Sequence, residues 1–120
     1  MEELILEPLE LARTIVDLIA AKMGSDILLL DLAGKTIVAD YFVIASGNSD
    51  RQIKAIVEDT VVSLKREHGV ANLSVEGTAE SGWVLIDYGS VVVHIFSPKQ
   101  RDYYQLERLW SEAHTVVRIA

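Results

Sequence analysis

The residues of this chain able to do chemistry are few and far apart. Three histidines, His68, His94 and His114, have neither HxxxH nor HxH spacing, so no pair reaches one metal from a single helix or strand face. Nucleotidyl transfer needs two carboxylates one residue apart on a strand, where they hold two divalent ions together. Asp26, Asp31 and Asp40 have no Asp-x-Asp or Asp-x-Glu spacing, and five residues apart Asp26 and Asp31 fall on opposite strand faces. No serine sits in a nucleophile elbow, and cysteine is absent altogether, which excludes thiol nucleophiles, thiolate ligands and disulfides. Gly47-Asn48-Ser49 is placed where a phosphate could meet a helix N-terminus, but Asp50 already occupies that field and there is no GxxxxGK[ST] or GxGxxG. Helix capping is its favoured role. His94 near Asp87 resembles an imidazole with its orienting carboxylate; a satisfied histidine on a half-buried sheet face is the favoured reading. These patterns point to a non-enzymatic protein with no cofactor and no metal.

The elements that must position these residues form one domain, 1-120. Half of the 120 residues are hydrophobic and 24% are charged, enough for one core without staples. The start, "MEELILEPLELA", is acidic where a secretory or transit peptide would be basic, and no apolar run approaches a membrane span. A cytoplasmic protein whose mature form is the whole chain is expected. The net charge of -7 with scattered cations argues against direct DNA binding and is compatible either with a basic protein partner or with simple solubility.

Periodicity predicts a helix from Pro8 to Met23, stopped by Gly24, with Leu9, Ala12, Ile15, Ile19 and Met23 on its buried stripe. "DILLLDL" (26 to 32) reads as a strand buried on both faces and "DYFVIAS" (40 to 46) as a second. A long helix follows, opened by a Ser49/Gln52 capping box and closed by Gly69. After a segment around "LSVEG", "WVLIDY" and "VVVHIF" are separated only by Gly89 and Ser90, a tight hairpin. A two-residue loop puts Trp83, Leu85 and Asp87 on one face with Val92, His94 and Phe96, and Val84, Ile86 and Tyr88 on the apolar face with Val91, Val93 and Ile95. A Ser97/Gln100 capping box opens the last helix, whose stripe would hold Tyr103, Leu106, Leu109, Trp110 and Ala113, with Tyr103 in the core. Tyr104 lies about 100° away, free to contact something else. "TVVRI" would return as an edge strand.

Read in order, "DYFVIASGNSDRQ", "EG", "WVLIDYGSVVVHIF" and "RDYYQLERLW" resemble the ribosomal silencing factor family (RsfS, also called Iojap) over nearly the whole chain. The resemblance implies an α/β fold, a mixed β-sheet packed by helices and nucleotidyltransferase-like, without the catalytic carboxylates. It also implies a translational repressor that binds the large ribosomal subunit through ribosomal protein uL-fourteen. There it would sterically block joining of the small subunit, lowering translation when nutrients are scarce. Without a targeting segment, a bacterial cytoplasm is the expected setting.

Interface energy concentrates in aromatic anchors, so aromatics that the core stripes do not demand are the candidates. Trp83 and Tyr104 come first, then Tyr88 at the hairpin tip; core positions are the alternative for Trp83 and Tyr88. Asp87 and Glu107 are candidates to pair with a basic partner, or are solvated surface charges, and Arg101 to orient Tyr104. Two other functions stay open: a nucleotide-handling enzyme on the same fold, and a homodimeric adaptor joined through an exposed hairpin face or edge strand.

Overall fold

The computed structural model describes residues 6–120. Helix α1 (Pro8–Ala21) is followed by strands β1 (Ser25–Asp31) and β2 (Tyr41–Ser46), then by the long helix α2 (Asp50–His68). Strands β3 (Ser74–Glu76), β4 (Trp83–Asp87) and β5 (Val91–Phe96) come next, then the short helices α3 (Pro98–Tyr104) and α4 (Leu106–Leu109) and strand β6 (His114–Ile119). The six strands form one mixed sheet in the order β3-β4-β5-β2-β1-β6, with β2 and β5 parallel at its centre and the other neighbours antiparallel. A parallel pair needs a long crossover, and α2 with the following strands supplies it. The α/β class, the hairpin and the returning edge strand follow the sequence expectation.

Strand alternation divides the sheet into two faces. Ile27, Leu29, Val43, Ala45, Val84, Ile86, Val91, Val93 and Ile95 lie in one core with Leu11, Ile15 and Ile19 of α1 and Ile53, Ile56 and Leu64 of α2. The other face carries Leu28, Leu30, Phe42, Ile44, Val92 and Phe96, over which Leu106, Trp110 and Ala113 pack while only partly buried themselves. Two long helices thus close one face. Two short ones, neither with a buried residue, lie over the other.

Local chemistry sets the ends of α2. Ser49 Oγ accepts from the backbone N–H of Gln52 at 3.1 Å. The expected reciprocal bond is displaced by one residue: Gln52 Oε1 accepts from the N–H of Asn48, and its amide reaches across to the carbonyl of Met23 at 2.9 Å. The box therefore also ties α2 to the end of α1. Gly69 closes α2 at φ 68°, and Val70 N–H returns to the Leu64 carbonyl, as a left-handed glycine stop requires.

Two sequence expectations for the helices are corrected. Helix α1 ends at Ala21, and Met23 has φ 65° and is 77% exposed, so it leaves the stripe before Gly24. The single last helix is broken at Gln105, which takes φ 45°. A left-handed non-glycine residue costs about 1 kcal/mol, and the turn lets Leu106 and Trp110 lie back over the Phe42 face. Its consequence is that Tyr103 and Leu109, expected on the core stripe, are 76% and 74% exposed.

Candidate functional site

The two-residue hairpin loop sets the geometry of the site. Trp83 stands opposite Phe96, Leu85 opposite His94 and Asp87 opposite Val92, the expected pairing, so Trp83, Leu85, His94 and Phe96 share the thinly covered face. Helix α3 begins directly after Phe96. Ser97 Oγ accepts from Gln100 N–H at 3.2 Å, while Ser97 N–H goes to the Gly82 carbonyl at 2.9 Å, so the box expected with Gln100 does not close. That second bond holds the start of the helix against the entry to β4 and brings Tyr104 over Trp83.

The result is a chain of rings. Trp83 stacks on Phe96 at 4.9 Å between centroids and 28° between planes, and Tyr104 lies against Trp83 at 4.6 Å. Tyr103 meets Tyr104 edge-on at 5.0 Å. Toward the sheet centre, His94 meets the Phe42 edge at 4.6 Å, and Phe42 meets Trp110 at 5.8 Å. Offset and edge-to-face contacts of this kind are the favoured arrangements of aromatic quadrupoles. The two neighbouring tyrosines thus have one explanation: neither is in the core, and both continue a stack that begins at buried Phe96. Beside Trp83, a shallow depression of about 210 Å³ is lined by Glu76, Gly77, Trp83 and Leu85.

The six candidate residues separate into three groups. Trp83 and Tyr104 come together at the surface, Trp83 half-buried and Tyr104 47% exposed. Tyr88 is not exposed at the hairpin tip: its ring is buried on the opposite face among the first core, where burial pushes its hydroxyl up to about 12. Asp87 is turned to its own hairpin, its Oδ1 accepting from Gly89 N–H at 2.7 Å. It therefore does not orient His94. Arg101 makes no hydrogen bond to Tyr104; its Nε donates to both oxygens of Glu107 at 3.0 and 3.3 Å, and its terminal nitrogen to Ser46 Oγ at 2.9 Å. This clasp spans the break at Gln105 and fastens both short helices to the end of β2.

Sequence reading missed the acceptor beneath Trp83. The indole N–H donates to Nδ1 of His94 at 3.2 Å, in a ring pair that the strand register places diagonally across β4 and β5. His94 is neutral, its pKa pushed down to about 4 by burial. Among the described residues no cluster of three His, Asp or Glu side chains is arranged to hold a metal ion.

Residues 6–119 match the family model described as "Ribosomal silencing factor during starvation". The chain belongs to that ribosomal silencing factor family. The Bacillus subtilis ribosomal silencing factor RsfS is 47% identical over 92 residues, 77% of each chain. A mouse protein named mitochondrial assembly of ribosomal large subunit protein 1 is 32% identical, across 81% of this chain and 43% of its own length. A crystal structure of a Chromobacterium violaceum protein, 36% identical, superposes with a TM-score of 0.83 over 96% of this chain and 97% of the other. The ribosomal silencing factor family is named for regulation rather than catalysis.

The clasp carries a prediction of its own. Arg101→Met removes a side chain that is 11% exposed and leaves Glu107 and Ser46 without their partner. Charge-assisted bonds of this kind contribute about 2 kcal/mol, so urea denaturation should show a loss of that order. Arg101→Met with Glu107→Leu should recover part of it, because the stranded carboxylate is gone.

Proposed function

We propose that the protein binds the large ribosomal subunit through ribosomal protein uL-fourteen and, by its bulk alone, blocks joining of the small subunit. Translation is lowered as a result. The observation that carries this reading is the Tyr103–Tyr104–Trp83 ring cluster: two largely exposed tyrosines in contact with a half-buried tryptophan that rests on buried Phe96, with family membership naming the ribosome as the target. Trp83 and Tyr104 are the anchors. Tyrosine and tryptophan dominate interface energetics because they offer large apolar area with few rotatable bonds. The net charge of -7 suits approach to a basic ribosomal protein, speeding encounter, while the rings give residence time. Assignment to the large subunit is supported by the name of the mouse relative, mitochondrial assembly of ribosomal large subunit protein 1. Arg101 and Glu107 support the anchors from behind, while Asp87 and Tyr88 stabilise the hairpin that carries Trp83. Occlusion needs affinity and volume but no chemistry, so the protein acts without turnover, in the bacterial cytoplasm.

The test is sedimentation of purified large subunits with the protein and its variants, followed by addition of small subunits. Wild type should co-sediment and reduce joining. Trp83→Ala and Tyr104→Ala should each weaken co-sedimentation about thirtyfold, the loss typical of interface anchors, with folding checked by circular dichroism. A wild-type protein that neither sediments with large subunits nor alters joining would overturn the reading and bring the homodimeric adaptor forward.

A further inference from the structure

The surface rests on a histidine that has no evident reason to be polar. His94 is 4% exposed, in the middle of β5, and Phe42, Trp83 and Phe96 pack around its ring. An indole nitrogen can only donate, so Nδ1 of His94 must be the acceptor and its proton must sit on Nε2. That Nε2–H has no partner among the described residues. A phenylalanine or leucine would fill the same space without stranding a buried donor, so packing alone does not account for this side chain. What only the histidine supplies is an acceptor on the side of Trp83.

We propose that His94 is a positioning residue: its Nδ1 fixes the rotation of the Trp83 indole so that the ring is already in its binding orientation before the partner arrives. The proposal rests on the reading of Trp83 as a contact residue. Trp83 is half-buried and borders a shallow depression, so without the hydrogen bond its indole could turn toward that space and lose its contacts with Tyr104 and Phe96. A ring fixed in advance loses less freedom on binding, so the hydrogen bond acts on affinity although His94 itself touches nothing outside the protein.

The experiment uses the full chain labelled with nitrogen-15, in which the two tryptophan indole signals are assigned with Trp110→Phe. His94→Phe keeps an aromatic ring and removes the acceptor; His94→Gln restores an acceptor without the ring. In His94→Phe the Trp83 indole proton should move upfield and exchange with solvent about tenfold faster, and affinity for large subunits should fall about three- to tenfold, the range of one net hydrogen bond. His94→Gln should recover both in part. A folded His94→Phe with an unchanged Trp83 signal and unchanged exchange overturns the proposal, as does a freed indole with unaltered affinity. His94→Leu serves for the same readings where the phenylalanine variant does not fold. The indole signals report on positioning without the ribosome, so a wild type that fails to bind large subunits, or a Trp83→Ala variant that binds as well, tells against the contact reading separately.

Discussion

Gly77→Ala should destabilise the protein by about 3 kcal/mol or more, far beyond the usual cost of filling a left-handed position. Gly77 has φ 84°, and a methyl group built there runs into the backbone carbonyl oxygen of Trp83, with the Trp83 carbonyl carbon only 3.3 Å away and the Val84 Cα at 3.5 Å. A flexible side chain could swing aside, but a strand backbone cannot move without shifting its register against β5. Because the displaced residue is Trp83, the proposed binding to large subunits should fall together with stability. Gly34 provides an internal control: its φ is 80°, but nothing lies within 4 Å of the added methyl. Gly34→Ala should therefore cost only about 1 kcal/mol for the conformation. Urea denaturation of the two variants separates the effects, and equal losses would mean that the close approach over Trp83 has no energetic weight.

Acid should weaken the fold through His94 by about 3 kcal/mol between neutral pH and about pH 4. Burial pushes this histidine from 6.5 down to about 4 in the folded protein. Between these values the unfolded chain binds the proton and the folded one does not, so stability declines as pH falls. The contribution is intact above 6.5 and lost once pH has passed through about 4. Nearby rings offer no counter-charge: Phe42, Trp83 and Phe96 surround the imidazole, and Asp87, on the same sheet face, is bonded to Gly89. Protonation would also remove the acceptor of the Trp83 indole. Stability of wild type minus that of His94→Phe, measured by urea from about pH 7.5 to about pH 4, isolates this group from the carboxylates. A pH-independent difference would show that the imidazole is not desolvated in the folded state.

Periodicity and punctuation made the sheet legible. The Gly89-Ser90 loop fixed the hairpin register, and with it the faces of Trp83 and Phe96, because a two-residue connection leaves one pairing. Gly69 marked the end of α2, where a left-handed stop is needed. Legibility ended where tertiary contacts overrode local preference. Nothing in "QRDYYQLERLW" announces a break, since glutamine is a good helix former, and Gln105 turns left-handed only because Leu106 and Trp110 have a sheet face to cover. A continuous helix placed Tyr103 inside; the broken one exposes it.

For the candidate surface, the off-stripe argument for Tyr104 rested on a continuous helix; with the break at Gln105 Tyr103 is the more exposed of the two, and Trp83, open between core and contact, is half-buried. Charged residues were harder to place, because spacing does not say which carboxylate a chain will use for itself. Asp87 is consumed by its own turn and Glu107 by Arg101. The His94–Trp83 bond was readable in principle, since both residues were already assigned to one face.

The sheet order has a consequence for how the chain acquires this surface. Trp83, His94, Phe96, Arg101, Tyr104 and Glu107 all come from one continuous stretch, so most of the stack forms from near neighbours in sequence and can assemble early in folding. Its fastening to the rest of the molecule does not. Arg101 reaches Ser46 across 55 residues of chain, and β5 is held at the sheet centre by parallel pairing with β2, a contact that must wait for α2 and the hairpin. The rings can gather first, but they acquire a fixed direction only when β5 pairs with β2 behind them.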